Sequence, residues 1–245
     1  LQQTICCLLP ADEQLEILNR VTEPGWMYKR QKLDRDVLYQ ITSFNFLAWM
    51  QAEMGMMLNQ ELARAILIGD GRLANDPYKI KTDRVRPIAY EADVWTVVQN
   101  VEASLTPDER LDVSIDMRAD YQGSGTPTMF VAPSEISSWL KHKDGMGNRV
   151  YKNVSEIASL LQVSNIVAVP QLAAAKTADG TKSIKSIIVN LNDYALSMPT
   201  GDAALKDTRF DIDFNKEIYL LEWLVGGALI VPHSALIQTQ TIPSA

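Results

Sequence analysis

The stretch TSFNFLAWMQAEMGMMLNQELARAILIGDGR, Thr42 to Arg72, constrains this chain more than any other. Its apolar residues Leu47, Met50, Met54, Met57, Leu58, Leu62, Ala65 and Ile68 follow the i, i+3/i+4, i+7 spacing of one helix face. Gln51, Glu53, Asn59, Gln60 and Arg64 fall on the other side. Thr42 or Ser43 offers a hydroxyl to the unpaired amides of a first turn. Gly69 can take the left-handed conformation that stops a helix. The spacing predicts a helix roughly 40 Å long, where about 11–12 residues is usual. Such length suits a spine under a sheet or along an interface.

Bulk properties narrow the class. A chain of 245 residues makes one or two domains, and 47% hydrophobic with 22% charged residues can bury a substantial core. The net charge of -7 argues against a dedicated nucleic-acid binder, which needs a basic stripe to displace counterions. No apolar run reaches the about 18 residues that span a membrane. Leu1 stands first, so an upstream segment is expected to have been removed or to lie outside this chain, and no signal peptide is visible. Cys6 and Cys7 are adjacent, which disfavours a disulfide between them and predicts two buried or half-buried thiols of an intracellular protein.

Thr4–Leu9 reads as a short apolar element, followed by an amphipathic turn over Glu13–Leu18. Trp26–Ile41 mixes aromatics with dense charge and predicts a long exposed strand leading into the spine helix. Lys29, Arg30, Lys32 and Arg35 make a basic patch there, either a solvated face or a dock for a neighbour's acids. Arg84–Ile88 predicts a short strand. Glu91–Leu105 predicts a helix with Val94, Trp95, Val98, Val101 and Leu105 on one face, ended by Pro107 and Asp108. Ala119–Pro127 is a glycine-rich loop, and Thr128–Ala132 a buried strand. A helix follows over Glu135–His142 with Ser134 as its cap, then a tight turn at Asp144–Asn148. Val154–Leu161 predicts a helix, Asn165–Val169 a strand closed by Pro170, and Asp179-Gly180-Thr181 a turn. Ser186–Leu191 predicts a strand with Tyr194–Met198 as its neighbour. Phe210–Asn215 alternates strictly, as a strand with one buried face does. Ile218–Val231 predicts a long buried strand in which Gly226-Gly227 marks a bulge or a close backbone approach. Ala235–Gln240 continues as an edge strand.

Chemistry-bearing patterns are weak. Asp211, Asp213, Asn215 and Glu222 occupy positions of a calcium-loop template, but its required glycine is Lys216 and the segment alternates as a strand. Gly69-Asp70-Gly71 follows a helix instead of opening one, the wrong polarity for a phosphate cradle. Gly123-Ser124-Gly125 lacks the spacing of a nucleophile elbow. His142 suits the negative end of a helix dipole. Neither it nor His233 has a carboxylate and nucleophile in a local pattern. Met50, Met54, Met56 and Met57 read as adaptable core or interface filler. No catalytic, cofactor-binding or metal-binding residue is assigned.

Three segments, in order, resemble major capsid proteins of tailed double-stranded DNA bacteriophages. LNQELARAILIGDGR resembles the end of that family's spine helix. PTMFVAPSEISSWLKHKDGMGNRVY resembles its strand, helix and following stretch, here with Leu140, Lys141, Lys143, Asp144, Gly147 and Tyr151. EIYLLEWLVGGALIVPHSALI resembles its closing strand, here with Gly226, Gly227, Pro232 and Ala235. The resemblance implies an α+β fold of Hong Kong ninety-seven type. A peripheral domain would hold 1–89 and the closing strands of 204–245, and an axial α/β domain would occupy 90–203. It implies a non-enzymatic subunit that self-assembles into pentamers and hexamers of an icosahedral shell. Scaffold, portal and decoration proteins would be further partners. DNA would be packaged without sequence specificity, no membrane would be involved, and the shell would be assembled in the host cytoplasm and end as the virion. Some members lock their shells with a lysine–asparagine bond; no such pair is assigned here, because the loop carrying the lysine is expected near or before Leu1. Two readings stand beside it: an encapsulin-like compartment shell, and a soluble α/β enzyme with its site at Ala119–Pro127 and the Asp144–Asn148 turn.

Overall fold

A computed structural model describes residues 22–40, 45–73, 75–76, 78–178, 180–198 and 204–242. Thr42, Ser43, Cys6, Cys7, Asp179 and the elements expected between Thr4 and Leu18 lie outside the described residues.

The spine is helix α2 (Phe46–Ile68), which follows strand β1 (Gly25–Asp34) and the short helix α1 (Arg35–Gln40). Asn45 caps α2, its side-chain oxygen accepting from the Ala48 amide at 3.2 Å. Gly69 ends it at φ 78°, and its N–H donates to the Ala65 carbonyl at 3.2 Å. Met50, Met54, Leu58, Leu62, Ala65 and Ile68 are buried, as their spacing requires. Leu47 and Met57, expected on the same face, are exposed. Leu47 sits in the first turn, before Met50 begins the buried row, and Met57 lies at the border of the buried arc.

A first sheet lies against this helix. Its centre is β8 (Lys216–Leu229), which pairs antiparallel with β1, with β7 (Ala204–Asp211) and, at its far end, with β6 (Tyr194–Ser197). Met27, Tyr219, Leu221 and Val225 meet Met50, Met54, Leu58 and Leu62 of α2 in one core cluster. Gly226 and Gly227 mark a close approach: Gly227 N–H donates to the Arg84 carbonyl at 2.8 Å and its carbonyl accepts from Arg86 N–H at 2.9 Å. The strand expected over Arg84–Ile88 reduces to this single bridge at Val85, followed by a 3-10 turn over Ile88–Tyr90.

Three expectations change here. Tyr194–Met198 does not pair with the strand before it; the 3-10 turn Leu191–Asp193 redirects the chain onto β8. The alternation at Phe210–Asn215 buries no face: β7 stops at Asp211, and residues 212–215 form the hairpin turn, with Ile212, Phe214 and Phe210 exposed. Ala235–Gln240 is no edge strand but the core of the second sheet.

That sheet has the order β2 (Thr96–Val101), β9 (Ala235–Thr241), β5 (Lys182–Val189), β3 (Thr128–Val131), β4 (Ile166–Ala168). The β2–β9 and β3–β4 pairs are parallel and the others antiparallel. The helix expected over Glu91–Leu105 is therefore a loop and strand β2. Its valines favour a pleated surface, where branching at Cβ packs without helix crowding. Pro107 starts a helix instead of ending one. Thr106 and Glu109 cap it reciprocally, and Pro107 needs no N–H in the first turn of α3 (Pro107–Met117). Helices α4 (Pro133–Lys141) and α5 (Val154–Leu160) complete this layer. The cap of α4 is Ala132, with no side-chain bond, so Ser134 lies inside the helix. Leu111, Met117, Trp139, Ile157 and Leu161 pack on one face of the sheet against Met129, Val131, Ile188 and Leu236. On the other face, Phe130, Ile187, Val189 and Ile237 meet Leu67 and Ile68 from the end of α2. One helix thus enters the cores of both sheets, with Ile66 packed against each.

Candidate assembly surfaces

The enzyme reading required a reactive pocket at Ala119–Pro127. That loop is instead tied shut. Asp193 is buried and takes three bonds from it: Ser124 N–H to Oδ2 at 2.9 Å, Ser124 hydroxyl to Oδ1 at 2.5 Å, and Tyr121 hydroxyl to Oδ2 at 3.3 Å. Asn190 Nδ2 adds a bond to the Ser124 carbonyl at 2.7 Å. Burial, then the neighbouring Asp193 charge, pushes Tyr121 up to about 12, which keeps it a donor. Ser124 donates its hydroxyl to a carboxylate and faces no histidine, so it is an anchor and not an activated nucleophile. At the Asp144–Asn148 turn, Asp144 Oδ1 accepts from the Met146 and Asn148 amides at 2.9 and 2.8 Å. His142 Nδ1 lies 2.7 Å from Asp108 Oδ2, joining the end of α4 to the start of α3. His233 donates its backbone N–H to the Val94 carbonyl at 3.1 Å.

The remaining candidates are structural too. Asp70 accepts from Ile80 N–H at 2.7 Å and Arg72 N–H at 3.1 Å and pairs with Lys79 at 3.4 Å, so Gly69-Asp70-Gly71 anchors the loop that follows the spine. Asp211 pairs with Lys32 at 3.4 Å, while Lys216 pairs with Asp34 at 3.3 Å. Glu222 stands within β8 opposite Tyr28, away from the turn. The calcium-template residues are thus split between a hairpin tip and a strand. Among the described residues, no group of three His, Cys, Asp or Glu side chains is placed to hold a metal, and no helix is long and apolar enough to cross a membrane.

What stands out is the surface. β1 and β7 each pair with β8 alone, leaving both outer edges of the first sheet open among the described strands. Open edges carry rows of unpaired amides and carbonyls that can pair with another chain. Trp26 and Tyr28 of β1 are exposed, as is Leu205 of β7. On the spine, Trp49 and Met56 are exposed. Of the basic patch, Lys29 pairs with Glu61 at 3.2 Å, Lys32 with Asp211, and Arg35 lies 5.1 Å over the Phe210 ring. The Arg30 side chain is exposed and makes no hydrogen bond or ion pair among the described residues. The exposed strand expected from Trp26 onward is β1, which ends at Asp34, whereas the sequence reading missed the apolar hairpin tip. Its signal, alternating large apolar side chains beside charges, is the same for a buried and an open sheet face.

A long helix laid under a sheet of extended antiparallel strands, entering a second sheet covered by three helices, is the α+β capsid fold of Hong Kong ninety-seven type. Comparison with solved structures places the chain among specific neighbours. It aligns with a structure described as the capsid of an empty GTA particle computed with C5 symmetry, at TM-score 0.61 and 10% identity, covering 95% of this chain and 81% of that one. A structure from Mycobacterium phage Ogopogo aligns at TM-score 0.59 and 13% identity, covering 95% and 85%. A virus-like particle from Pyrococcus furiosus aligns at TM-score 0.56 and 10% identity, covering 88% and 76%. No protein-family model and no curated protein matches the sequence.

Proposed function

We propose that the chain is a structural subunit of a viral icosahedral capsid, self-assembling into pentamers and hexamers that enclose double-stranded DNA. The observation that carries this reading is a capsid fold shared over 95% of the chain with the particle described above. The physics agrees with it. The polar clusters serve as anchors, and the exposed features are edges and apolar rows, which suit lateral contact. Rings of identical subunits need heterologous contacts, with two different patches meeting around an axis. A net charge of -7 limits adhesion to the DNA inside.

In this reading 1–89 and the β7–β8 hairpin form the peripheral domain. The axial domain takes 90–203 together with β9, because β9 lies inside the second sheet, between β2 and β5. Scaffold, portal and decoration proteins are the further partners, and the virion is where the assembled protein resides after assembly in the host cytoplasm. The same shell fold is open to a second reading, an encapsulin-like compartment shell.

The test is light scattering and negative-stain microscopy on the purified chain. Closed shells of uniform diameter are expected. Nucleic acid inside supports the capsid, and an enzyme cargo supports the compartment. A stable monomer under every assembly condition overturns both.

A further inference from the structure

The first sheet has unlike ends. At one end the β7–β8 turn puts Ile212 and Phe214 into solvent, 81% and 68% exposed, with the exposed Asp213 between them. Asp213 makes no hydrogen bond or ion pair among the described residues. At the other end, a cleft of about 130 Å³ opens beside β1, lined by Trp26, Tyr28 and Tyr78 and by the charged Glu61, Arg72 and Lys79. Tyr28 and Tyr78 meet edge to face at 6.3 Å. Side chains two apart in a strand share a face, so Trp26, Tyr28 and Arg30 form one row in which Arg30 is the free cation.

We propose that the Ile212–Asp213–Phe214 tip of one copy seats on the Trp26–Tyr28–Arg30 row and its cleft in a second copy, in a head-to-tail contact. Several observations lead there. An apolar cavity of about 150 Å³ takes a benzene ring, so this cleft has room for one phenyl or branched aliphatic side chain. Asp213 of the tip and Arg30 of the row are opposite in charge. The tip offers a carboxylate between two apolar groups, and the row offers a guanidinium beside two aromatics. The tip cannot fill the cleft of its own copy. Asp34 faces Lys216 at the tip end, and Trp26 lies eight residues back along β1, about 26 Å at the rise of a strand. Unlike patches at opposite ends generate rings or open arrays instead of closed pairs. The contact is smaller than the roughly 1,000 Å² of a stable interface, so it sets register within a wider lateral surface. It rests on the shell reading above.

The test is reciprocal charge reversal in the full chain, read as the sedimenting fraction at fixed concentration, with circular dichroism as the folding control. Asp213→Arg alone and Arg30→Glu alone each set like charges opposite one another. Each is expected to lower the assembled fraction about ten-fold, while the double variant recovers to within about two-fold of the unaltered chain. Ile212→Ser with Phe214→Ser, both in solvent and outside either core, is expected to fold and fail to assemble. If the unaltered chain forms shells and the single reversals do too, or the double variant assembles no better than they do, this contact is wrong and the shell reading stands. If the unaltered chain never assembles, both are overturned.

Discussion

Ser124 gives its backbone N–H and its hydroxyl to the two oxygens of a single buried carboxylate, Asp193, 69 residues away in sequence. Asp193 thus replaces water for Ser124 and for the Tyr121 hydroxyl in the Ala119–Pro127 loop. Removing a buried acceptor leaves its donors unsatisfied, at about 1–3 kcal/mol each. Asp193→Ala is expected to destabilise the subunit by about 3 kcal/mol, read as a lower urea midpoint at unchanged slope. An unchanged midpoint would mean that the loop is held by other contacts.

Gly227 is fixed by space. A Cβ there would stand 2.5 Å from Tyr194 Cε1 and 2.9 Å from its hydroxyl, which bonds the Arg86 carbonyl at 3.0 Å. The neighbouring Gly226 has Pro24 backbone 3.2 Å from its own Cβ position. Gly227→Ala must push Tyr194 off its partner or open the Arg84–Gly227 bridge. Overpacking costs about 1–3 kcal/mol, and with the lost bond the expected fall is about 3 kcal/mol. Adding Tyr194→Phe should recover little, because the ring itself still collides.

Two tyrosines make stability depend on alkaline pH. Burial first, then Asp193, raises Tyr121 from 10.0 to about 12. Burial first, then the hydrogen bond to Glu217 at 2.5 Å, raises Tyr219 from 10.0 to about 12. A phenol whose folded pKa is raised holds its proton after the unfolded chain has lost it. The stabilisation is therefore complete below pH 10 and lost as pH rises towards about 12. Melting temperature should fall across that window, and less steeply in Tyr219→Phe, which cannot ionise. Equal slopes in the two proteins would remove Tyr219 from the account.

Much of the fold was readable where one signal dominated. The α2 face repeats at helical spacing for six turns and ends at Gly69, and β8 is apolar for most of its length. Local pattern failed where two periods fit the same residues. Val94, Val98 and Val101 match a helix face, yet Thr106 and Glu109 mark a helix start at Pro107, a residue that fits a stop equally well by local pattern. Position in a sheet is a non-local property, so nothing near Ala235 says that β9 lies between β2 and β5. The Ser124–Asp193 anchor joins segments that sequence alone does not bring together. The tip residues Ile212 and Phe214 were visible as an alternation, but exposure depends on what the turn leaves uncovered.

The spine tests which apolar residues serve the fold and which are free for neighbours. Leu58 is fully buried between α2 and the first sheet, and Met56, two residues before it, is 53% exposed. Leu58→Ala opens a cavity and is expected to cost about 3 kcal/mol. Met56→Ala should change subunit stability by less than about 0.5 kcal/mol. A large loss at Met56 in the isolated subunit would show that its side chain is needed for folding.

Glu135 joins three elements of the second layer. Its Oε2 lies 2.7 Å from Arg110 Nη2 of α3, and its Oε1 3.7 Å from Lys185 Nζ of β5. Arg110 also donates to the Leu105 carbonyl at 2.8 Å, and its Nε is buried with no partner. The pair is mostly buried, so desolvation offsets much of its attraction, and its loss is not symmetrical. Glu135→Ala strands a guanidinium that already has one unmet donor, and is expected to cost about 3 kcal/mol. Replacing both partners, Glu135→Leu with Arg110→Met, removes the stranded charge and fills the space. Lys185 can then turn its amine to water, since its side chain is 26% exposed. That double variant should come within about 1 kcal/mol of the unaltered subunit. Urea midpoints of the three proteins decide it: a double variant as unstable as Glu135→Ala would mean that the pair, and not merely the absence of an unpaired charge, holds α3 and α4 to the sheet.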